Sequence, residues 1–292
     1  MKNYQFFGCY YFIALFSILT CCCAPSAPQL PFEEKIVVRA LLEAGQNLSD
    51  VQISRTIPPL DEFSYEKIFL GDAVATISVD GTTYPMELQP RTSAFPYRSL
   101  YRVPNLRVEA GKLYALEVRW KNLIARAQTF VPLLPDVDSV VVVASILPVR
   151  IAPVSMVFDT VFVSSARIRA RAKEVYRVGT SLHDASSGRI ISGRGFGDAI
   201  LIQEAQTLSL QTNSWRFTTA TIQVLANTIQ TRVNIEAYDA AFYDYYQTRS
   251  RNGQVGLFSP GGPNIDWNVT GDGIGEFSGM SLVQRPATVR VK

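Results

Sequence analysis

Apolar and polar residues alternate along most of this chain, and this period of two constrains the fold more than any other feature. Between Tyr114 and Trp120 every second residue is large and apolar, whereas the residues between them are small or charged. Such a pattern places one face of a strand in a core and the other in solvent. The segments that flank Asp80-Gly81 alternate in the same way, and Asp-Gly in that position is typical of a β-hairpin. The sequence therefore predicts an all-β, mainly antiparallel fold.

The spacing of the strand-like segments predicts two β-sandwich-like domains. A break at Pro132 and Pro135 marks the boundary. We expect an N-terminal β-sandwich domain over residues 32–133 and a β-rich C-terminal domain over residues 134–292. Strands are expected at residues 35–42, 51–55, 98–103 and 126–131 in the first, and at 155–163, 165–172, 174–182, 188–193, 198–203, 216–226 and 228–236 in the second.

Two segments depart from the strand pattern. At about residues 237–248, aromatic residues from Tyr238 to Tyr246 recur at helical spacing, which predicts a short helix packed by this aromatic stripe onto a sheet. Residues 253–279 hold eight of the eighteen glycines, which predicts a long loop that is either functional or packed on the surface.

All four cysteines lie within the first 23 residues, so neither disulfides nor a thiolate metal site can support the rest of the fold. The same stretch has the features of an export signal. Lys2 precedes an uncharged, mostly apolar run from Phe6 to Leu19, which is too short to span a bilayer. We therefore expect a signal peptide over residues 1–21.

The end of this signal resembles a bacterial lipobox, in which an aliphatic residue lies three positions before a cysteine that carries the lipid. Cys22 fits through Leu19, and Cys21 fits nearly as well, so lipidation is expected at Cys22 or Cys21. The alternative is an ordinary cleaved signal with incidental cysteines. Residues 22–31 are proline-rich and predict a tether to a lipid anchor in a membrane.

Composition argues against several classes of function. The chain has 28 basic and 25 acidic side chains, and this near balance argues against a nucleic-acid partner. His183 is the only histidine, so we expect no metal site and no cofactor. No Gly-x-Ser-x-Gly nucleophile motif accompanies His183 and Asp184, where we expect an exposed turn. Asp239 and Asp244 lie five positions apart on the predicted helix and are expected to face solvent.

Four basic residues at alternating positions fall on one face of a predicted strand. They are Arg167, Arg169, Arg171 and Lys173. This face is a candidate site for an anionic ligand or a lipopolysaccharide phosphate. The alternative is a charged strand that protects a sheet edge from pairing.

Segments along nearly the whole mature chain resemble a family of Bacteroidota outer-membrane lipoproteins classed as domain of unknown function family 4249. The likeness lies at Lys35–Leu42, Val51–Pro59, Leu70–Leu88, Glu109–Val118, Thr129–Val140, Ala241–Thr248 and Phe258–Gly279. The family's C-terminal motif is a tyrosine-bearing helix, a Pro-containing loop, and an Asn followed by a Gly-rich stretch leading into a Phe. Its positions here are Tyr243, Asn268, Gly271, Gly273, Gly275 and Phe277.

This resemblance implies a cellular location and a partner protein more than a chemical activity. Members look like outer-membrane lipoproteins encoded beside TonB-dependent receptors, and the face of the membrane stays open between periplasm and cell surface. Ser139 and Thr160 lie in Asp-Ser/Thr-Val patterns, which resemble the O-glycosylation signal of exported proteins in this phylum.

We expect a non-enzymatic accessory protein of a TonB-dependent receptor that binds a glycan or a peptide for uptake. One alternative is a structural or assembly module of the envelope without a ligand. Another is a polysaccharide hydrolase, which would place two carboxyl groups roughly 5 to 9 Å apart in a groove. Trp267 and Tyr243 exposed around a cleft would favour glycan binding, whereas the same residues buried would favour the structural module.

Overall fold

The computed structural model describes residues 32–90, 100–152, 155–212, 215–218, 229–254 and 265–291. Strands predominate in these residues, and the predicted all-β fold class is confirmed. Residues 34–57 and the described residues from 62 onward form one compact unit, whereas Pro58–Asp61 belong to a separate small one. The predicted signal peptide, tether and lipidated cysteine precede residue 32 and lie outside the described part of the chain.

The largest sheet has nine strands among the described residues. In spatial order they are β12 (Ile190–Phe196), β11 (Glu174–Asp184), β16 (Ile229–Asp239), β18 (Gly273–Pro286), β1 (Ile36–Glu43), β2 (Val51–Arg55), β6 (Leu100–Arg102) and β5 (Glu87–Leu88), with β13 (Ile200–Leu201) paired to β11. β1 and β18 pair in parallel, and β18 pairs antiparallel with β16 on its other side. Strands from both sides of the predicted boundary after residue 133 therefore meet in one sheet.

Two five-stranded sheets complete the described strands. One is ordered β17 (Thr270–Gly271), β8 (Leu123–Phe130), β7 (Leu113–Trp120), β3 (Val74–Val79) and β4 (Thr82–Pro85). The other is ordered β14 (Gln206–Gln211), β10 (Ser155–Ala170), β9 (Asp136–Ala152) and β19 (Val289–Val291), with β15 (Trp215–Thr218) paired to β10. We call them the β7 sheet and the β10 sheet.

One hydrophobic core lies between the β7 sheet and the β1–β2 part of the largest sheet. Val38 and Ile53 on the largest sheet and Ile77 and Val118 on the β7 sheet are at most 1% exposed. Their neighbours in sequence point away from the core, as the period of two predicts. Each such side chain contributes about 1.5–3 kcal/mol by leaving water.

A second core lies between the β10 sheet and the β11–β16 part of the largest sheet. Val142 and Ile168 from the β10 sheet meet Val233 and Ile235 from β16, and all four are completely buried. The β-branched side chains of these residues suit the pleated surface of a sheet. This core forms the second sandwich.

Both cores lie on the same face of the largest sheet. Along β18, Phe277 belongs to the first core, whereas Ser281 is paired with Ala237 of the second core. Residues an even number of positions apart point to the same side of a strand, so the two smaller sheets cover one face side by side. The two sandwiches thus share one layer, and the two-domain boundary stays a prediction.

The Asp80-Gly81 hairpin forms as the sequence predicts. Val79 and Thr82 are cross-strand partners, and φ is 50° at Asp80 and 77° at Gly81. Two successive residues with positive φ are characteristic of the type I′ turn, whose twist matches that of the flanking strands.

Two helices occur among the described residues, α1 (Tyr65–Ile68) and α2 (Ala240–Gln254). The predicted helix at 237–248 exists, but it begins at Ala240 because β16 continues through Asp239. α2 packs on the face of the largest sheet opposite the cores, where Phe242 joins a small buried cluster with Val175 and Met280.

The predicted loop over residues 253–279 is wrong at both ends, because α2 continues through Gln254, and β17 and the first half of β18 occupy the stretch from Thr270 onward. Glycine is needed there for close packing. At Gly275, φ is 132° and a Cβ would overlap the Val38 carbonyl, while at Gly271, φ is 77° and a Cβ would lie 2.5 Å from the Ile124 carbonyl oxygen. Residues 255–264 of the predicted loop lie outside the described part.

Candidate functional site

A cleft of about 650 Å³ lies between α2 and the face of the largest sheet opposite the cores. Its floor comes from β1, β2, β6 and β18, and its wall comes from α2, β16 and β11. Alternation along β1 supplies part of the floor, because Val38 and Ala40 are core residues whereas Arg39 and Leu41 are exposed on the cleft side. Leu41 is 46% exposed, which makes the floor partly apolar.

The helical wall begins at a buried carboxylate. Asp239 is 7% exposed, and its Oδ1 accepts a hydrogen bond from the Phe242 N–H (3.2 Å) in the first turn of α2. Its Oδ2 accepts the hydroxyl hydrogen of Thr129 from β8. Burial raises the pKa of Asp239 to about 6, although these hydrogen bonds oppose the shift. The prediction that Asp239 faces solvent is wrong because it caps α2, whereas Asp244 is exposed as expected.

A stack of aromatic rings fixes α2 on the sheet. The rings of Tyr238 and Phe242 are stacked with centroids 3.9 Å apart, and Tyr246 continues the stack 5.8 Å beyond Phe242. The Arg177 guanidinium lies 5.4 Å from the Tyr246 ring centroid. The predicted aromatic stripe is therefore confirmed, with its first ring contributed by the strand.

A buried carboxylate accepts a hydrogen bond from the first ring of this stack. The Tyr238 hydroxyl donates a hydrogen bond to Glu236 Oε2 (2.7 Å), and Glu236 is 2% exposed. Burial, and then the negative charge of Glu236, raises the pKa of Tyr238. Glu236 is also the cross-strand partner of Arg177, so the Arg177 charge lies beside a buried carboxylate.

Tyr245 and Arg249 of α2 line the cleft, and Trp267 packs beside Tyr245. Trp267 is 40% exposed and its ring centroid lies 5.7 Å from that of Tyr245. The Arg249 guanidinium lies 5.8 Å from the Tyr245 ring, and its Nη1 donates to the Tyr245 hydroxyl (3.3 Å). The backbone N–H of Asp266 donates to Thr248 Oγ1 (3.0 Å), which holds the segment before Trp267 against α2.

Glu276 is the acidic residue on the floor. It is the register partner of Arg39, and it accepts a hydrogen bond from the Ser278 hydroxyl (3.2 Å). Burial raises the pKa of Glu276, and the charges of Arg39 and Arg249 oppose this shift. Asp50 is a second, exposed carboxylate of the lining.

The four predicted basic residues do not lie in this cleft. Arg167 and Arg169 are exposed on β10, but Arg169 pairs with Asp138 (3.0 Å) of β9. Arg171 donates to the carbonyls of Leu133 (3.2 Å) and Leu134 (3.1 Å). A ligand on this face stays a prediction. The alternative of edge protection is wrong, because β10 is an interior strand between β14 and β9.

Lys173, the fourth basic residue, lies in the turn between β10 and β11 with a φ of 62°. Ser139 is exposed on β9, whereas Thr160 lies in a part of β10 whose side chains are not described. O-glycosylation at either residue stays a prediction.

The residues predicted to form the family's C-terminal motif, apart from Tyr243, lie in or just before β17 and β18. Asn268 Nδ2 donates to the Phe277 carbonyl (2.6 Å), and Asn268 Oδ1 accepts from the Phe277 N–H (2.8 Å). This pair of hydrogen bonds anchors the segment before β17 to β18. Tyr243 is partly buried against the cluster beneath α2. Gly273 lies close to the Ala125 side chain of β8.

The prediction of an exposed turn at His183 is wrong, because its side chain is 4% exposed. His183 Nδ1 lies 3.0 Å from the Gly188 carbonyl, which can only accept, so Nε2 accepts from the Ser181 hydroxyl (2.8 Å). Asn234 Nδ2 donates to the same hydroxyl oxygen (3.0 Å). The arrangement resembles a nucleophile and its base, but both residues are buried, with Ser181 1% and His183 4% exposed.

Sequence reasoning missed Arg39, Arg177, Arg249 and Glu276 as members of one site. Each lies in a different element, and their proximity depends on the pairing of β1 with β18 and the docking of α2. Glu236 gave no local signal either, because it follows Gln230, Arg232 and Asn234 at alternate positions of β16, a pattern that predicts a solvent-facing side chain.

Neither helix among the described residues combines the length and apolar character that crossing a bilayer requires. The same residues bring together no group of three or more side chains of the types that hold a metal ion.

A family model described as "Domain of unknown function (DUF4249)" matches residues 24–284. No curated protein matches the chain. Among solved structures, a chimeric titin Z1Z2-Z1Z2 tandem functionalized with a GRGDS peptide from fibronectin is 12% identical, covers 88% of this chain and 96% of its own, and has a TM-score of 0.18.

The B domain of a biofilm associated protein is 6% identical, with a TM-score of 0.14, and the match covers 86% of this chain and 85% of that one. TM-scores this low carry no argument about fold or function.

Proposed function

The chain belongs to the family of domains of unknown function DUF4249, and from that membership and the cleft we propose that it is a non-enzymatic, ligand-binding accessory protein of the outer membrane. In this proposal a lipid at Cys22 or Cys21 anchors the protein, and a TonB-dependent receptor is its partner. The ligand is a nutrient, a glycan or a peptide, that the partner imports.

The observation that carries the binding role is the cleft beside α2. Its volume of about 650 Å³ lies within the usual range for small-molecule sites, about 300–1,000 Å³. Aromatic rings and charged groups line it together, and this combination gives a ligand both contact area and orientation. Trp267 packs against Tyr245 of this lining and is 40% exposed, so part of its ring is accessible beside the cleft.

The location and the partner rest on sequence. The lipobox-like segment before Cys22 supports a lipid anchor, and the family resemblance supports the association with a TonB-dependent receptor. The envelope module without a ligand is the main alternative, and the open, aromatic-lined cleft weighs against it. A hydrolase would need Asp50, the other carboxylate of the lining, to act together with Glu276 at the separation that glycosidases use, roughly 5 to 9.5 Å.

The test of this proposal is a pull-down of the native, lipid-anchored protein from outer membranes in mild detergent, with partners identified by mass spectrometry. We expect stoichiometric recovery of a TonB-dependent receptor. A variant with Cys21 and Cys22 both replaced by Ala controls for anchoring, and it should leave the membrane fraction. Recovery of the wild-type protein alone would refute the accessory role.

A further inference from the structure

Two guanidiniums of the cleft have their charges available for a ligand. Arg39 and Arg249 are both exposed, and among the described residues neither forms an ion pair with a carboxylate. Arg177 differs, because its guanidinium contacts the Tyr246 ring and its cross-strand partner is the buried Glu236. Arg177 therefore stabilises the wall, whereas Arg39 and Arg249 face the open space.

The positive charges of Arg39 and Arg249 both act on Glu276, on the floor of the cleft. Arg39 lies beside Glu276 in the register of β1 and β18 and on the same face of the sheet. Arg249 reaches the cleft from α2, and its charge also acts on Glu276. Glu276 is the carboxylate on which both positive charges act. The negative charge of Asp239, at the start of α2, raises the pKa of Glu276.

Arg249 is held in position by the helix. Its contact with Tyr245 involves Nη1 and the ring, which leaves the other N–H groups of the guanidinium free to donate. A guanidinium held in this way loses less conformational entropy when it binds, and its planar fork matches the two oxygens of a carboxylate.

From this geometry we infer that the cleft binds a small sugar acid, whose carboxylate is held between Arg39 and Arg249. This inference rests on the proposed ligand-binding function and names the chemical class of the ligand. The carboxylate accepts from the two guanidiniums, and the hydroxyl groups of the sugar meet polar side chains such as Gln52. Leu41 and Tyr245 supply apolar surface for the C–H face of the ring.

The floor favours a sugar over a peptide. Arg39 pairs with Glu276 on one side and with Gln52 on the other, so the backbone hydrogen bonds of this part of the sheet are already made. A peptide that binds by adding a strand needs a free sheet edge, and the centre of this floor offers none. Recognition here depends on side chains, which suits a ligand rich in hydroxyl groups.

Glu276 gives the inference a distinctive signature. A bound carboxylate lies close to this acid, so the neutral form of Glu276 favours binding and its ionised form opposes it. Glu276→Gln keeps an acceptor for the Ser278 hydroxyl while it removes the charge. This variant should bind an acidic sugar more tightly, whereas a neutral sugar would gain nothing from it.

The experiment is isothermal titration calorimetry of the full mature chain with trimers of galacturonate, glucuronate and mannuronate, each beside its uncharged methyl ester. We expect at least one acid to bind and its ester to bind at least tenfold more weakly. Arg39→Gln and Arg249→Gln should each weaken the acid about tenfold, and Glu276→Gln should tighten it several-fold. Arg119→Gln removes the same charge from β7, outside the cleft, together with an exposed ion pair to Glu117, and should leave binding unchanged.

Three outcomes would overturn the inference. They are binding of none of the acids, equal binding of acid and ester, and preferential binding of an Asp-Glu tetrapeptide. Circular dichroism and a urea midpoint for each variant separate lost binding from lost folding. Recovery of a receptor in the pull-down together with failure of every sugar acid would leave the proposed function standing with another class of ligand.

Discussion

Replacement of Asp239 by Asn should remove a specific pH dependence from the stability of this protein. Asp239 caps α2, the helix that carries Tyr245, Tyr246 and Arg249, and burial raises its pKa from an ordinary 3.8 to about 6. Because the native state holds this proton more tightly than the unfolded state, the contribution of Asp239 is full below about pH 3.8. It is lost as the pH rises through about 6.

The size of the effect follows from the shift. Two pKa units correspond to about 3 kcal/mol, at about 1.4 kcal/mol per unit, as an upper limit for this single group. Asn is nearly as good a capping residue as Asp and does not titrate in this range. It loses one acceptor oxygen, which adds an offset of about 1–3 kcal/mol that does not vary with pH.

Urea unfolding from pH 4 to pH 8 measures this directly, with the free energy of unfolding extrapolated to water at each pH. We expect the difference between Asp239→Asn and wild type to move in favour of the variant by about 2–3 kcal/mol between pH 4 and pH 7. Asp244→Asn, on the exposed side of the same helix, is the matched control and should change the free energy of unfolding by no more than about 0.5 kcal/mol. A difference for Asp239→Asn that does not change with pH would refute the raised pKa of this buried cap.

Two further substitutions test the packing that builds the site. Gly275→Ala should lower the free energy of unfolding by more than about 3 kcal/mol, because a Cβ overlaps the Val38 carbonyl in addition to the cost of positive φ. Gly188 has a φ of 68° but open space around it, so Gly188→Ala measures the cost of positive φ alone and should lower that free energy by about 1 kcal/mol in urea unfolding. Equal costs would contradict the clash. Ser181→Ala leaves buried donors and acceptors of the His183 network without partners, so it should lower the free energy of unfolding by about 1–3 kcal/mol. Calorimetry should find ligand binding unchanged. Loss of binding at normal stability would instead indicate that this network takes part in the site.

The parts of the fold that the sequence predicts correctly are those in which local chemistry decides. The Asp80-Gly81 turn needs only two residues that tolerate positive φ, and the strands need only alternation. The start of α2 was misplaced because Tyr238 fits both a strand and a helical stripe. Asp239 was the available signal, since an Asp before Ala240 is a typical helix cap.

The Gly-rich segment was misread for a physical reason that sequence does not display. Glycine is common in loops because it permits positive φ, and it is equally required where two backbones approach closely. Gly271 and Gly275 need both properties at once, against β8 and β1. The decisive contacts are with residues more than a hundred positions away, so no local pattern distinguishes the two uses.

The alternation along β18 separates the scaffold from the site. Gly273 and Phe277 face β8 and the first core, where any larger or more polar group would prevent the sheets from meeting. Glu276, between them, faces the cleft, and the double hydrogen bond from Asn268 holds the backbone at Phe277 in place. The residues predicted to form the family's C-terminal motif therefore fix the position of the cleft floor, whereas Glu276, the side chain that faces the proposed ligand, is not one of them. A change at Glu276 should accordingly alter which ligand binds while the fold persists, whereas a change at Asn268 should lower stability and lose any ligand together with the fold.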